Sequence, residues 1–104
     1  DTGHANMVWG SKMTDIIHRY KDRLKAIHIH DNSGSADFHQ IPGDGNINWQ
    51  EVMSAVAQTK YELPLTMELM CYENIDAFLK KAYEAGERLT EMYLEAAAAH
   101  TTEK

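Results

Sequence analysis

Residues 24–31 read LKAIHIHD, and their alternation decides the fold. Leu24, Ala26, His28 and His30 fall on one face of an extended chain, while Ile27 and Ile29 fall on the other, the period-two pattern of a strand. Two histidines therefore point the same way. The stretch that follows, NSGSADFHQIPGDGNI (residues 32–47), is rich in Gly, Ser and Asp and long for a strand-to-helix connection, which points to a functional loop. A helix is expected from Trp49, with Asn48 as its cap and Glu51 three residues on in the position of a capping box.

The same pairing of an apolar run with an amphipathic helix recurs on both sides. Residues 63–70 (LPLTMELM) are almost wholly apolar and read as a strand covered on both faces. A charge at Glu68 then costs several kcal/mol of desolvation unless it is paired or metal-bound. The helix after it is expected over residues 75–98, with Ile75, Phe78, Leu79, Ala82, Leu89, Met92, Tyr93 and Ala96 near helical spacing. Residues 96–104 are expected to fray. Upstream, residues 13–22 read as a helix with Ile16, Ile17 and Tyr20 on one face and Ser11 as its cap. The opening DTGHAN (residues 1–6) has the polar character of a segment that follows a strand, so a first apolar run is expected to be missing or cut off. This is a β/α alternation. Three such units cannot close a barrel of eight, so the chain reads as one part of a larger α/β domain.

Composition limits the function. The 104 residues are 43% hydrophobic and 25% charged, with 16 acids against 10 bases for a net charge of −6. That balance argues against non-specific nucleic-acid binding, which needs a basic surplus. No run approaches the roughly 18–20 apolar residues of a membrane span. One cysteine, Cys71, forms no internal disulfide and fits a reducing, cytoplasmic compartment.

Four of the 6 histidines, at positions 4, 28, 30 and 39, crowd beside Asp1, Asp31 and Asp37. If the strands are parallel neighbours, their carboxyl ends and the following loops gather at one face. Asp1, His4, His28, His30, Asp37, His39 and Glu68 would meet there, a donor set suited to Zn²⁺ or Mn²⁺. Plainer readings stand beside this one. Asp1 and His4 suit an Asx-type turn with a surface histidine, His28 and His30 suit ordinary hydrogen-bonded inward residues, and Asp37 and His39 suit a solvated loop. The methionines, Trp49 and the tyrosines read as packing. The PGDG turn hints at a phosphate cradle but lacks the P-loop pattern.

Taken in order, DTGHAN, LKAIHIHDNSGSADFHQIPGDGNINW and LTMELM resemble the C-terminal portion of the xylose-isomerase-like barrel superfamily. The closest resemblance is to its sugar phosphate isomerase/epimerase group, which shares a fold with the apurinic-site endonucleases. The resemblance runs to about residue 95 and implies units six to eight of a (β/α)8 barrel, with residues 1–104 a partial barrel domain. It implies a divalent metal, Mn²⁺ or Zn²⁺ with Co²⁺ or Mg²⁺ as substitutes, at the carboxyl face. By the same resemblance Asp1 is the sixth-strand ligand, and His4 contacts substrate in the epimerases or a second metal in the endonucleases. The seventh-strand ligand is His28 by the endonuclease pattern or His30 by the epimerase pattern. Asp37 and His39 match a pair that holds an additional zinc in the endonucleases. Glu68 matches the eighth-strand glutamate, a ligand that also serves in acid/base work. The earlier strands, with a further glutamate, are absent, so the chain alone carries an incomplete site.

Three functions follow. The first is a metal-dependent isomerase or epimerase of a sugar or sugar phosphate, acting through an enediolate with a small-molecule sugar as its partner and Glu68 and His4 in catalytic roles. The second is a zinc-dependent phosphodiesterase acting on abasic DNA, favoured by Asp37 and His39 and disfavoured by the acidic balance. The third is a non-catalytic fragment whose strand edges pair with another copy or with the rest of the barrel.

Overall fold

In the computed structural model, which describes residues 1–102, the HIH alternation produces a parallel strand pair. Strand β1 (His28–Ile29) lies beside β2 (Thr66–Met67), with His28 opposite Thr66 and Ile29 opposite Met67. In chain order, α1 (Thr2–Trp9) and α2 (Met13–Arg19) precede β1, α3 (Trp49–Ala57) crosses from β1 to β2, and α4 (Ile75–Thr102) follows β2. The β1–α3–β2 segment is a βαβ unit, the minimal way to set two strands parallel. Ile27 and Ile29 share one buried core with Met13, Ile47, Trp49, Val52, Met53, Val56, Tyr61 and Leu89. With that face committed to the core, the histidines are turned to the other side.

Local signals account for the helix starts. Asn48 Oδ1 accepts the Glu51 N–H at 3.2 Å, so α3 begins at Trp49 as its sequence predicts. Asn74 Oδ1 accepts from the N–H groups of Asp76 at 3.0 Å and Ala77 at 3.2 Å at the start of α4. Asp1 Oδ1 accepts the His4 N–H at 2.8 Å and caps α1.

Several expectations are corrected. DTGHAN, read as a polar segment that follows a strand, is the start of a helix of its own, although it lacks an apolar stripe. Its buried residues are Thr2, Gly3 and Asn6, so tertiary contact rather than periodicity holds it. Ser11 does not cap α2: Gly10–Lys12 form a 3-10 turn that runs straight into the helix and leaves no open end to cap. That helix stops at Arg19 rather than residue 22, and Tyr20 is exposed.

Residues 63–70 are not covered on both faces. Leu65 and Met67 pack on the main core and Leu69 on a second cluster with Ile41, Phe78, Ala82 and Ala85. Leu63 and Met70 are exposed, and the Glu68 side chain is 48% exposed. The run alternates, and only one set of its side chains meets a helix. The buried stripe of α4 is narrower than expected as well. Ala82, Ala85 and Leu89 are buried, whereas Ile75 and Leu79 are exposed. Helix α4 continues to Thr102, and residues 103–104 of the expected frayed tail lie outside the described residues. Among the described residues no helix is long and apolar enough to cross a membrane.

Candidate metal centre

The site is built on the chain as it leaves β1. At Asp31 a bridge to Gln40 closes the base of the loop: Asp31 N–H donates to Gln40 O at 2.8 Å and Gln40 N–H to Asp31 O at 3.0 Å. The fully buried Asp31 carboxylate accepts N–H groups from Asn32 at 2.9 Å, Gly43 at 2.9 Å, Gly45 at 3.1 Å and Ile47 at 3.2 Å, and the Trp49 indole N–H at 2.8 Å. The PGDG amides therefore cradle an anion, but that anion is Asp31. This replaces the phosphate reading of the turn. A side chain at position 45 would collide with Asn32 O and Asp31 Oδ1, so only glycine lets the turn close on the carboxylate.

Two further devices hold His30. The Thr2 hydroxyl donates to His30 O at 2.9 Å and accepts the His30 N–H at 3.1 Å, taking the place of a neighbouring strand along the free edge of β1. Gly3 lies against the His30 ring, where a Cβ would overlap Cε1 and Nδ1. Beside them Asn6 Nδ2 donates to Asn32 Oδ1 at 2.7 Å and to Asn46 Oδ1 at 2.9 Å, and Asn32 Nδ2 donates to Gly3 O at 3.0 Å. These amides lock α1 to the loop.

On this frame all seven sequence-predicted residues come together. Asp1 Oδ1 lies 2.8 Å from His30 Nε2, and Asp1 Oδ2 lies 3.3 Å from His4 Nδ1. Asp37 Oδ2 faces His4 Nε2 at 2.9 Å and His39 Nε2 at 3.2 Å, while its Oδ1 is 3.8 Å from His30 Nδ1. Glu68 Oε2 is 3.4 Å from His28 Nδ1 and Oε1 is 3.7 Å from His39 Nδ1. The His30 and His39 rings stack with centroids 3.9 Å apart, and His4 meets His30 edge-on.

The donor chemistry fits a divalent cation. His30 is fully buried, yet neither ring nitrogen makes a hydrogen bond of acceptable geometry, despite the nearness of Asp1. A buried polar atom left in that state costs about 1–3 kcal/mol. Ligand atoms around one ion stand roughly 3 Å apart without pointing at each other, since each lies about 2.0–2.2 Å from the ion. His39 carries the matching outer contact: its Nδ1–H donates to Glu68 O at 2.9 Å. That bond fixes the tautomer, leaves Nε2 directed at Asp37, and is the arrangement metal-bound histidines use. Among the described residues, Asp1, His28 and Glu68, and likewise His30, His39 and Glu68, bring ligand atoms within 4.8 Å of one another.

Electrostatics separates the two stacked imidazoles. Burial, followed by the charge of His39, pushes His30 below the usual 6.5, against the pull of Asp37 and Glu68, and so favours its neutral form. The Glu68 carbonyl bond raises His39, with the Asp37 charge adding to it against burial. Burial pushes the Asp37 carboxyl up, but the hydrogen bond from His4 and the charge of His39 outweigh it and hold the group low.

Glu68 reaches this cluster without the buried position first assigned to it, since its side chain is 48% exposed. Sequence reasoning passed over Thr2, Gly3, Asn6, Asn32 and Asn46 of the frame, and it noted Asp31 without giving it a role. A signal for Asp31 was present, because an acid at a strand end followed by a Gly-x-Gly turn offers the amides their anion internally.

Curated proteins resemble the chain over much of its length. An uncharacterised protein of Sinorhizobium fredii is 35% identical over 95 residues, covering 88% of this chain and 30% of that protein. Fructoselysine 3-epimerase of Escherichia coli O157:H7 is 39% identical over 66 residues, covering 64% of this chain and 24% of the enzyme. An uncharacterised protein of Methanocaldococcus jannaschii is 30% identical over 69 residues, covering 65% and 24%. The chain thus spans less than a third of the length of these relatives. No solved structure matches it. The family described as xylose isomerase-like TIM barrel matches residues 1–94, which hold every residue of the cluster. The chain belongs to the xylose isomerase-like TIM barrel family.

Proposed function

We propose that this chain contributes the carboxyl-face residues of a divalent-cation-dependent isomerase or epimerase acting on a sugar or sugar phosphate. The observation that carries the reading is the fully buried His30 ring, with unpartnered nitrogens among Asp1, Asp37 and His39, beside a half-exposed Glu68. The likeness to a fructoselysine 3-epimerase supports the reaction class, because C3 of a fructose unit lies next to its carbonyl. Asp1, His28, His30 and Glu68 would hold the cation, with Asp37 and His39 alongside. Bound there, Mn²⁺, Zn²⁺, Co²⁺ or Mg²⁺ supplies Lewis acidity to a carbonyl and its neighbouring hydroxyl.

Proton transfer at the carbon between them gives the enediolate. Glu68 is the base: its carboxylate is open to solvent on one side and oriented by His28 and His39 on the other, so it can take a proton from one face of a substrate. Inversion needs a second acid on the opposite face. His4, 60% exposed and held between Asp1 and Asp37, is placed at the rim to hydrogen-bond a substrate oxygen. The test is to incubate the full-length protein with Mn²⁺ or Co²⁺ and a panel of keto-sugars in D₂O. Deuterium should enter the carbon beside the carbonyl, and Glu68→Gln should slow its entry by about 10²–10⁴-fold. Failure of solvent deuterium to enter any substrate carbon would overturn the proposal.

Convergence of His4, Asp37 and His39 favours a second reading, a zinc phosphodiesterase acting on abasic DNA. Three zinc ions per full-length chain with nicking of abasic duplex would establish it. A single bound metal would remove it.

A further inference from the structure

We propose that Tyr72 is a positioning residue for the Asp37–His39 pair, tying the loop that carries them to the segment after β2. This rests on the cation-site reading above. His39 is a non-glycine residue with φ +52°, a left-handed conformation that persists only when its surroundings hold it. Besides the Asp37 contact and the Asp31–Gln40 bridge next to it, three bonds come from the chain around β2. Met70 N–H donates to His39 O at 2.9 Å, and His39 Nδ1 donates to Glu68 O at 2.9 Å. The third bond joins residues 34 apart in sequence: the Tyr72 hydroxyl donates to Phe38 O at 2.5 Å.

Phe38 sits between Asp37 and His39, so a bond to its carbonyl fixes the peptide that sets the angle between those two side chains. Tyr72 itself is 60% exposed and belongs to neither core cluster. Its ring therefore contributes little packing, and the hydroxyl is its structural contact with the site. The rotamer that reaches Phe38 O spans the gap between the two loops that carry Asp37, His39 and Glu68. A looser loop would let Asp37 Oδ2 drift from His4 and His39, and the ligand atoms would lose their common focus.

The variant Tyr72→Phe removes one exposed oxygen and leaves the core untouched, so it should fold. Tyr83→Phe, at another exposed tyrosine on α4, is the control. Two readouts apply: hydrogen exchange of the Met70 amide in metal-free protein, and Co²⁺ titration followed by the visible absorption of the bound ion. In Tyr72→Phe the Met70 amide should exchange about tenfold faster, Co²⁺ should bind about tenfold more weakly with a changed spectrum, and the melting temperature should hold within about 2 °C of the parent and of Tyr83→Phe. Unchanged exchange at Met70, or faster exchange with an unaltered Co²⁺ spectrum and affinity, overturns the assignment. If the unsubstituted protein takes up no Co²⁺, the cation-site reading fails by itself, and Met70 exchange still decides whether Tyr72 restrains His39.

Discussion

His30 is the residue on which the site turns, because it is fully buried, its backbone is gripped by Thr2, and its ring is pressed by Gly3 on one side and His39 on another. Gly3→Ala puts a methyl group where the ring stands. Either α1 moves away or His30 leaves its rotamer, and overpacking of this kind costs about 1–3 kcal/mol. The expected outcome is a lower urea midpoint together with weakened divalent-cation binding, whereas a variant with parental values for both would show that the contact is slack. The stacked imidazoles make a second prediction. His30 is shifted below the ordinary 6.5 by burial and His39 above it by the Glu68 carbonyl. The signs oppose each other. His30 contributes stability that is present above 6.5 and is lost as pH falls through its depressed folded value, while His39 contributes stability that is present below 6.5 and is lost as pH rises through its elevated one. An NMR titration of the imidazole protons in EDTA should give His39 a midpoint above 6.5 and His30 one below it. The reverse order would contradict the assignment of His30 as the neutral ligand.

At the scale of elements, the loop between β1 and α3 depends on Asp31 more than on any apolar contact. Asp31→Ala leaves the Gly43, Gly45, Ile47 and Trp49 N–H groups facing a void. The Ile47 and Trp49 donors are buried and the two glycine amides part-buried. A buried donor without an acceptor costs about 1–3 kcal/mol before relaxation, so a net loss of about 3 kcal/mol is expected in chemical denaturation. A loss under about 1 kcal/mol would mean that water replaces the carboxylate. The Asp31 cradle and the helix at DTGHAN show where sequence reading reached its limit. Alternation in LKAIHIHD placed the histidines opposite Ile27 and Ile29, and the Asn48 signal placed the start of α3, because both are local rules. Helix α1 was not legible, since what holds Thr2, Gly3 and Asn6 is contact with residues 26–40 positions away. The extent of β2 was overestimated for a related reason. An apolar composition says that a strand can be buried, whereas the neighbours that bury it are set by the whole fold. Glu68 was singled out on a desolvation argument that its 48% exposure does not support, yet it still reaches the cluster.

For the whole molecule, the consequence lies in where the clustered donor atoms come from. Asp1 precedes α1, His28 and His30 belong to the β1 run, Asp37 and His39 to the loop, and Glu68 to the end of β2. The folded chain gathers these groups and the unfolded chain scatters them over 68 positions, so a cation that binds the cluster favours the folded state by mass action. A free cation concentration of about 100 times Kd adds about 2.7 kcal/mol. In a domain of this size, where each kcal/mol moves the melting point by about 4–8 °C, that corresponds to a rise of about 10–20 °C. The rise should be reversed by EDTA and mostly lost in Glu68→Gln, which weakens the carboxylate shared by both groupings of ligand atoms. It should also diminish as pH falls, because protons compete for the imidazoles that must be neutral to bind. Calorimetry with Mn²⁺, Zn²⁺, Co²⁺ and Mg²⁺ in turn measures the effect directly. A melting temperature indifferent to all four would mean that the carboxylates and imidazoles neutralise one another without an ion between them.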